Sequence, residues 1–322
     1  MVEWAVMPGS RVTSKKSTVP LVPTDRDVRI IRAVQCHRLL RSRDHLVPLF
    51  GGSANVLRRL QVLTRARFLN RLKRRPHEQA VYSLGKQGAK LLRDRFGVPM
   101  PSSSNWGERD TRLTEQHVEH TLLVADVLVG VELACQAQPD TEYVSEAELI
   151  ERFASPEVKR RVKVIAGHPL KWDVTVRNGK WRGTGAIEPD GFFGIRRGQK
   201  TNYFFLEADR GTMSVIPEQP TFKRASIFKK MLQYRASWEN ARSSETLTSR
   251  RFGLSNIRTL FVLSTDARGD TRLNRCLEAN RHFQDGRGTG LFLFAKRETL
   301  LEAPDILAAE LITGTGKRVS LQ

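Results

Sequence analysis

Three carboxylates and a lysine–tyrosine pair are the residues of this chain best suited by type to do chemistry. Asp190 follows Pro189 at the start of an extended run, and Glu207-Ala208-Asp209 closes the apolar run from Tyr203 to Ala208. Side chains two apart on a strand leave the same face, so Glu207 and Asp209 project together, and Asp190 joins them if its strand lies alongside. Such a cluster repels itself unless a cation or a basic side chain neutralises it, and hard carboxylate oxygens suit Mg²⁺ or Mn²⁺. A metal held there would polarise a phosphodiester and activate water. Lys230 and Tyr234, four apart on the helix expected next, share one face and could stabilise the charge of a pentavalent phosphate. Spacing alone favours a plainer reading, a solvated strand end with Lys230 pairing one of the acids.

Other candidates carry less. His117 and His120 are three apart on a long helix, but HExxH is absent and no third ligand is in view, so core or partner-facing histidines are expected rather than zinc ligands. Glu115 and Glu119 on that helix could reach the carboxylates as outer ligands, although helical surface charge is the commoner explanation. The run Asp285-Gly286-Arg287-Gly288-Thr289-Gly290 lacks the lysine and following helix of a phosphate loop and reads as a turn. Cys36, Cys135 and Cys276 form no CxxC pair and read as reduced thiols in a cytoplasm.

Charge points to a second kind of chemistry. The chain carries +20, and residues 1–100 hold 21 Lys+Arg against 6 Asp+Glu, so +15 of the surplus lies there. A focused positive field attracts a polyanion, and phosphate neutralisation supplies sequence-independent nucleic-acid affinity. Within that stretch Thr24 can cap a helix bearing Val28, Ile31 and Val34; a short helix follows from Ser42 to Pro48, Gly51-Gly52 turns, and a third helix follows with Ser53 as its N-cap. On that third helix Val56, Leu60 and Leu63 share a face, with Asn55, Arg58, Arg59 and Arg65 outward. Two short strands, Phe68–Leu72 and Ala80–Leu84, then enclose the basic hairpin Lys73-Arg74-Arg75. This is the pattern of a winged helix-turn-helix, in which Asn55, Arg58, Arg59, Arg65, Lys73, Arg74 and Arg75 would touch double-stranded DNA. Arginine reads guanine and phosphate alike, so no recognised base sequence follows.

The elements that must position the acids come later. The expected division is a flexible basic arm over 1–23, the winged helix over 24–97, a Pro- and Ser-rich linker over 98–110, a second domain over 111–312 and a loose tail over 313–322. A long helix is expected from Arg112 to Gln138 and a shorter one over Tyr143 to Phe153. Strands follow at Trp172–Arg177, Trp181–Ile187 across an Asn-Gly turn, Gly191–Ile195, Tyr203–Ala208, Ile257–Ser264 and Leu291–Phe294, with helices between the last three. The fold class is therefore α+β, with a central mixed sheet flanked by helices in the second domain. The most apolar stretch, Leu122 to Cys135, is too short and too charged to span a bilayer, and a cytoplasmic location is expected.

Taken in order, a winged helix, a long helix, Pro189-Asp190-Gly191-Phe192, then Phe205-Leu206-Glu207-Ala208-Asp209-Arg210-Gly211-Thr212 and Lys230 with Tyr234 resemble the replication-relaxation family of plasmids and integrative elements, over roughly residues 25 to 300. The resemblance implies a divergent PD-(D/E)XK, restriction-endonuclease-like second domain, with Asp190 and Glu207 at the two acidic positions of a metal-dependent nicking site. Asp209 stands where that motif usually has lysine, and Lys230 could restore the charge from the helix. It also implies action in plasmid replication, relaxation or mobilisation, with a replication or mobilisation protein or a second copy of the chain as further partners. The alternative is a non-catalytic transcriptional regulator or relaxase accessory factor whose second domain binds a partner or a dimer mate.

Overall fold

The computed structural model describes all residues except 1–20, 73, 76, 99–112, 165–169, 219–221, 223, 240–245, 265–270 and 284–287. Most of the expected arm and linker, and Lys73 of the expected wing, thus lie outside the described residues.

The chain opens with α1 (Asp25–His37), started by a reciprocal capping box in which Thr24 and Asp27 each accept from the other's backbone N–H. Strand β1 (Leu40–Arg41), a single π-helical turn (Ser42–Leu46), α2 (Val47–Phe50), α3 (Ser53–Arg65), β2 (Leu69–Arg71), β3 (Val81–Leu84) and α4 (Lys86–Phe96) complete the first module. Its three strands pair antiparallel in the order β1-β3-β2. The N-cap of α3 is Gly52 at φ +64°, not Ser53, because two consecutive left-handed glycines make the turn into the helix. Val28's neighbours Ile30, Ile31 and Val34 meet Val56, Leu60 and Leu63 in one core, as the helical spacing requires.

Helix α5 (Glu115–Ala137) belongs to both halves. Ala125 and Val129 pack into the core of the first module, while Val127, Leu128 and Val131 cover a face of the large sheet. A helix apolar on two sides is buried on two sides. Next come β4 (Thr141–Val144), α6 (Glu146–Phe153), α7 (Pro156–Val164), β5 (Trp172–Asn178), β6 (Trp181–Ile187), β7 (Gly191–Arg197), β8 (Lys200–Asp209), α8 (Ile227–Glu239), α9 (Leu247–Phe252), β9 (Ile257–Leu263), α10 (Thr271–Arg281), β10 (Phe292–Lys296), α11 (Arg297–Leu301), β11 (Leu311–Thr313) and β12 (Arg318–Val319).

Seven strands form one mixed sheet in the order β12-β11-β10-β9-β8-β7-β4, with β8, β9 and β10 parallel and the other pairs antiparallel. Alternation sorts its residues to two sides: Phe204 and Leu206 turn toward α5 and α11, whereas Phe192, Phe205 and Phe261 turn toward α8 and α10. The α+β class and the helix-flanked mixed sheet are as expected. The hairpin β5–β6 stands apart as a two-stranded sheet, its Trp172, Val174 and Val176 face laid on the α8 side of the core.

Two expectations need correcting. Tyr143 to Phe153 is not one helix, since Thr141–Val144 pairs with β7 at the sheet edge and Ser145 then caps α6 by accepting from the Glu148 amide. Nor is the end of the chain loose. Gly316 at φ +84° turns β11 into β12, and fully buried Leu321 donates its amide to the Leu307 carbonyl at 3.1 Å. Truncating Leu321 to alanine should therefore destabilise the fold by about 2–5 kcal/mol, the range for a buried leucine. A thermal melt within a degree of the parent would show that this segment adds nothing to the core.

Candidate functional site

Strand β8 enters the core with Phe205 and ends with two buried acids on the same face. Glu207 and Asp209 are each about 3% exposed. Gly191 of β7 is level with Leu206, so Asp190 falls beside Glu207, and its backbone is held by Asp190 N to Leu206 O at 2.9 Å. Asp190 Oδ2 accepts the Ala208 amide at 2.8 Å, and Oδ1 is 3.0 Å from His120 Nε2 on α5. From α8, Lys230 Nζ ion-pairs with Glu207 Oε2, and Tyr234 Oη donates to Glu207 Oε1 at 2.6 Å. Asp190, Glu207, Lys230 and Tyr234 are therefore brought together, and His120 joins them.

Asp209 points to a different partner. Arg272 of α10 binds its Oδ2 and also donates to Met213 O at 2.6 Å, leaving Asp209 Oδ1 buried without a hydrogen-bond partner. Nor do Glu115 and Glu119 reach the cluster: they pair with Arg75 at 3.1 Å and Arg74 at 2.6 Å. Among the described residues, no group of three or more His, Cys, Asp or Glu side chains is arranged to hold a metal ion. Every oxygen of Asp190 and Glu207 already accepts from a donor, so this donor set as it stands does not fit a divalent cation, and no chemical step is drawn through one.

The electrostatics of the cluster come from burial. Water exclusion pushes the Glu207 carboxyl up to about 7, an effect that the Lys230 charge opposes and the neighbouring Asp190 charge reinforces. Asp190 is also penalised by burial, but the His120 hydrogen bond, the Lys230 charge and the Ala208 amide together take its carboxyl below the ordinary value. Burial alone would lower Lys230, yet Glu207 and Asp190 hold its ammonium well above the usual lysine range. Two adjacent carboxylates are thereby driven apart in acidity, one committed to the ionised form and one poised near neutrality.

A second set of side chains surrounds α3. Asn55, Arg58 and Arg65 are exposed, and among the described residues neither of these arginines has a carboxylate partner. Arg59 is spent internally: its Nε and Nη2 each lie 2.5 Å from a carboxylate oxygen of fully buried Asp27, clamping α3 to α1. Arg74 is also engaged, between Glu78 and Glu119 at 2.6 Å each, and exposed Arg75 leans on Glu115. Further pairs tie the module to α5: Arg41 and His45 both meet Asp126, the latter at 2.8 Å, and His37 lies 3.4 Å from Glu132.

A model of the replication-relaxation family matches residues 26–248, more than half of the chain and all of the Asp190, Glu207, Lys230 and Tyr234 cluster. This chain belongs to the replication-relaxation family. No curated protein and no solved structure matches it. In this replication-relaxation protein the matched span stops short of β9, so Arg272, the partner of Asp209, comes from the part of the chain that follows it. No helix among the described residues is long and apolar enough to cross a membrane.

Sequence reasoning named His120 but missed its pairing with Asp190, because a contact across 70 residues leaves no local signature. It also missed that Arg59 and Arg74 are committed to acids, which outward position on a helix or hairpin cannot reveal.

The raised Glu207 acidity has a signed consequence for stability. Between its ordinary value near 4.5 and about 7, the folded chain holds a proton that the unfolded chain has released, so stability falls as pH rises through that window. Glu207→Gln should flatten this fall. Urea denaturation of both proteins at pH 5 and pH 8 measures it, and equal changes in the two would show that Glu207 does not titrate there.

Proposed function

We propose that this replication-relaxation protein binds double-stranded DNA through its first module, a winged helix-turn-helix, in the service of plasmid replication, relaxation or mobilisation. The order of three helices with a β1-β3-β2 sheet supports that reading, with α3 as the element entering the major groove. The observation that carries it is the state of the cations on α3. Arg58 and Arg65 stand exposed and without acidic partners among the described residues, on the helix face opposite buried Val56, Leu60 and Leu63. Phosphate would be met by these two and by Asn55, while Arg59 sets the pose of α3 rather than touching DNA. Arg74 and Arg75 would contribute only after releasing Glu119 and Glu115.

A second reading, phosphodiester cleavage, is favoured by one specific arrangement: a carboxylate, a poised carboxyl, an ammonium, a phenol and an imidazole converge at the ends of β7 and β8. Mg²⁺ or Mn²⁺ on Asp190 and Glu207 would require Lys230 and His120 to yield their places. The non-catalytic reading, a regulator or relaxase accessory factor, needs none of this rearrangement.

Fluorescence anisotropy on a duplex of the encoding element tests the first reading. Replacing both Arg58 and Arg65 with alanine should weaken binding and reduce the log–log salt slope by about 1.8, at roughly 0.9 per lost contact. Unchanged slope would remove α3 from the interface. Arg59→Ala should instead destabilise the fold, by on the order of 3 kcal/mol, because buried Asp27 loses its counter-charge. A supercoiled-plasmid assay with Mg²⁺ or Mn²⁺ decides the second reading. Nicking by the parent that is lost in Asp190→Ala and in Glu207→Ala supports cleavage, and an inactive parent under both metals supports the non-catalytic role.

A further inference from the structure

The hairpin β5–β6 gives one face to the core and the other to solvent. Trp172, Val174 and Val176 are buried on the α8 side, while Asp173, Thr175 and Arg177 alternate outward. On β6 the inward positions 183 and 185 are glycines: a Cβ on Gly183 would come within 3.0 Å of the Phe222 ring, and one on Gly185 within 2.5 Å of Gln233 Nε2. Gln233 of α8 also donates to the Ala186 carbonyl at 3.0 Å, and the Trp181 ring packs edge-on against Phe228 at 5.1 Å. The ribbon is thus seated on α8 from tip to base, and its outer face is a fixed surface.

Register places Arg177 directly opposite Arg182 on that face, and Lys180 follows Gly179, which makes the turn at φ +51°. Facing side chains on such a pair have Cβ atoms about 4.5–5.5 Å apart, and like charges there repel. Among the described residues none of these three exposed cations has an acidic partner; Arg182 Nε donates to the Gly179 carbonyl at 3.1 Å. Next along the face Thr175 and Thr184 oppose each other with their hydroxyl oxygens 3.2 Å apart, and Asp173 opposes Ala186 at the base, about 13 Å from Arg177. The fold alone does not call for the arginine pair, since an acid at either exposed position would relieve the repulsion without touching the core.

Two guanidinium groups and an ammonium without counter-charge, beside a pair of hydroxyls, are the donors that backbone phosphates accept from. No large apolar side chain is exposed on the hairpin, so nothing there would anchor it in a lipid surface. A ribbon of two strands is narrow enough to follow the major groove of B-DNA, about 12 Å wide. The chain runs from β6 through Glu188 and Pro189 into Asp190, and α8 supports both the hairpin, by Gln233, and the acid cluster, by Lys230.

We propose that the outer face of β5–β6 is a second DNA contact, outside the first module, in which Arg177, Lys180 and Arg182 take backbone phosphates of a duplex. It rests on the reading that the chain binds duplex DNA.

The test is fluorescence anisotropy with the full chain and a duplex of the encoding element at several salt concentrations. Arg177→Gln combined with Arg182→Gln should weaken binding about tenfold or more at about 0.1 M salt and lower the log–log slope by about 1.8, at roughly 0.9 per lost contact. Arg182→Glu turns the repelling pair into an attractive one, so its melting temperature should equal or exceed the parent's while its duplex affinity falls. A salt slope unchanged in both hairpin variants overturns the proposal, as does an affinity loss that comes only with a lowered melting temperature. If the Arg58 and Arg65 double variant loses slope and the hairpin variants keep it, the DNA-binding reading stands and the hairpin contact falls; the reverse result keeps the hairpin and removes α3. A parent that binds no duplex ends both. Retention on phosphatidylserine–phosphatidylcholine vesicles that the hairpin variants lose, without duplex binding, assigns the face to a lipid surface and overturns the DNA contact.

Discussion

Two largely buried carboxylates held side by side under a helix are the constraint around which the second half of the molecule is organised. Glu207 and Asp190 could not be buried without compensation, since an isolated charge in such a place costs several kcal/mol. Lys230 supplies the charge, Tyr234 and the Ala208 amide supply hydrogen bonds, and His120 completes the Asp190 side. These donors come from three elements, so α5, β8 and α8 must all be seated before the acids can be. A cluster of this kind ties the positions of two helices to one pair of strand ends.

Helix α5 carries the same logic into the first module. Its acids at 115, 119, 126 and 132 face Arg75, Arg74, the Arg41 and His45 pair, and His37. Exposed pairs such as Arg75 with Glu115 contribute little to stability, whereas the half-buried ones at Asp126 and Glu119 specify how the module sits on the helix. The basic surplus read from composition is therefore not one free surface. Part of it is consumed in docking the module to α5 and α3 to α1, and a smaller, unneutralised set on α3 is left facing outward.

How much of this was legible follows from the range of each interaction. Glu207 and Asp209 share a face because strands repeat every two residues, and Lys230 and Tyr234 because helices repeat every 3.6; both facts are local and were readable. The separation of Asp209 from the other two acids was not, because Arg272 lies 63 residues away and only the packing of α10 brings it close. Strand β4 was hidden inside an apparent helix, although Ser145 with Glu148 three residues on carries the mark of a helix start. At the chain end, Thr313 to Lys317 resembles a fraying segment in composition, yet the same glycines that suggest looseness are what a tight reversal requires.

The borders of the large sheet have a bearing on self-association. One border is β12, two residues long with charged, exposed Arg318, and the other is β4, four residues long with Glu142 bonded to Arg196 across the pair. Short, charged borders of this type present a poor template for another chain's backbone. A second molecule of this protein would gain little by extending the large sheet at either border.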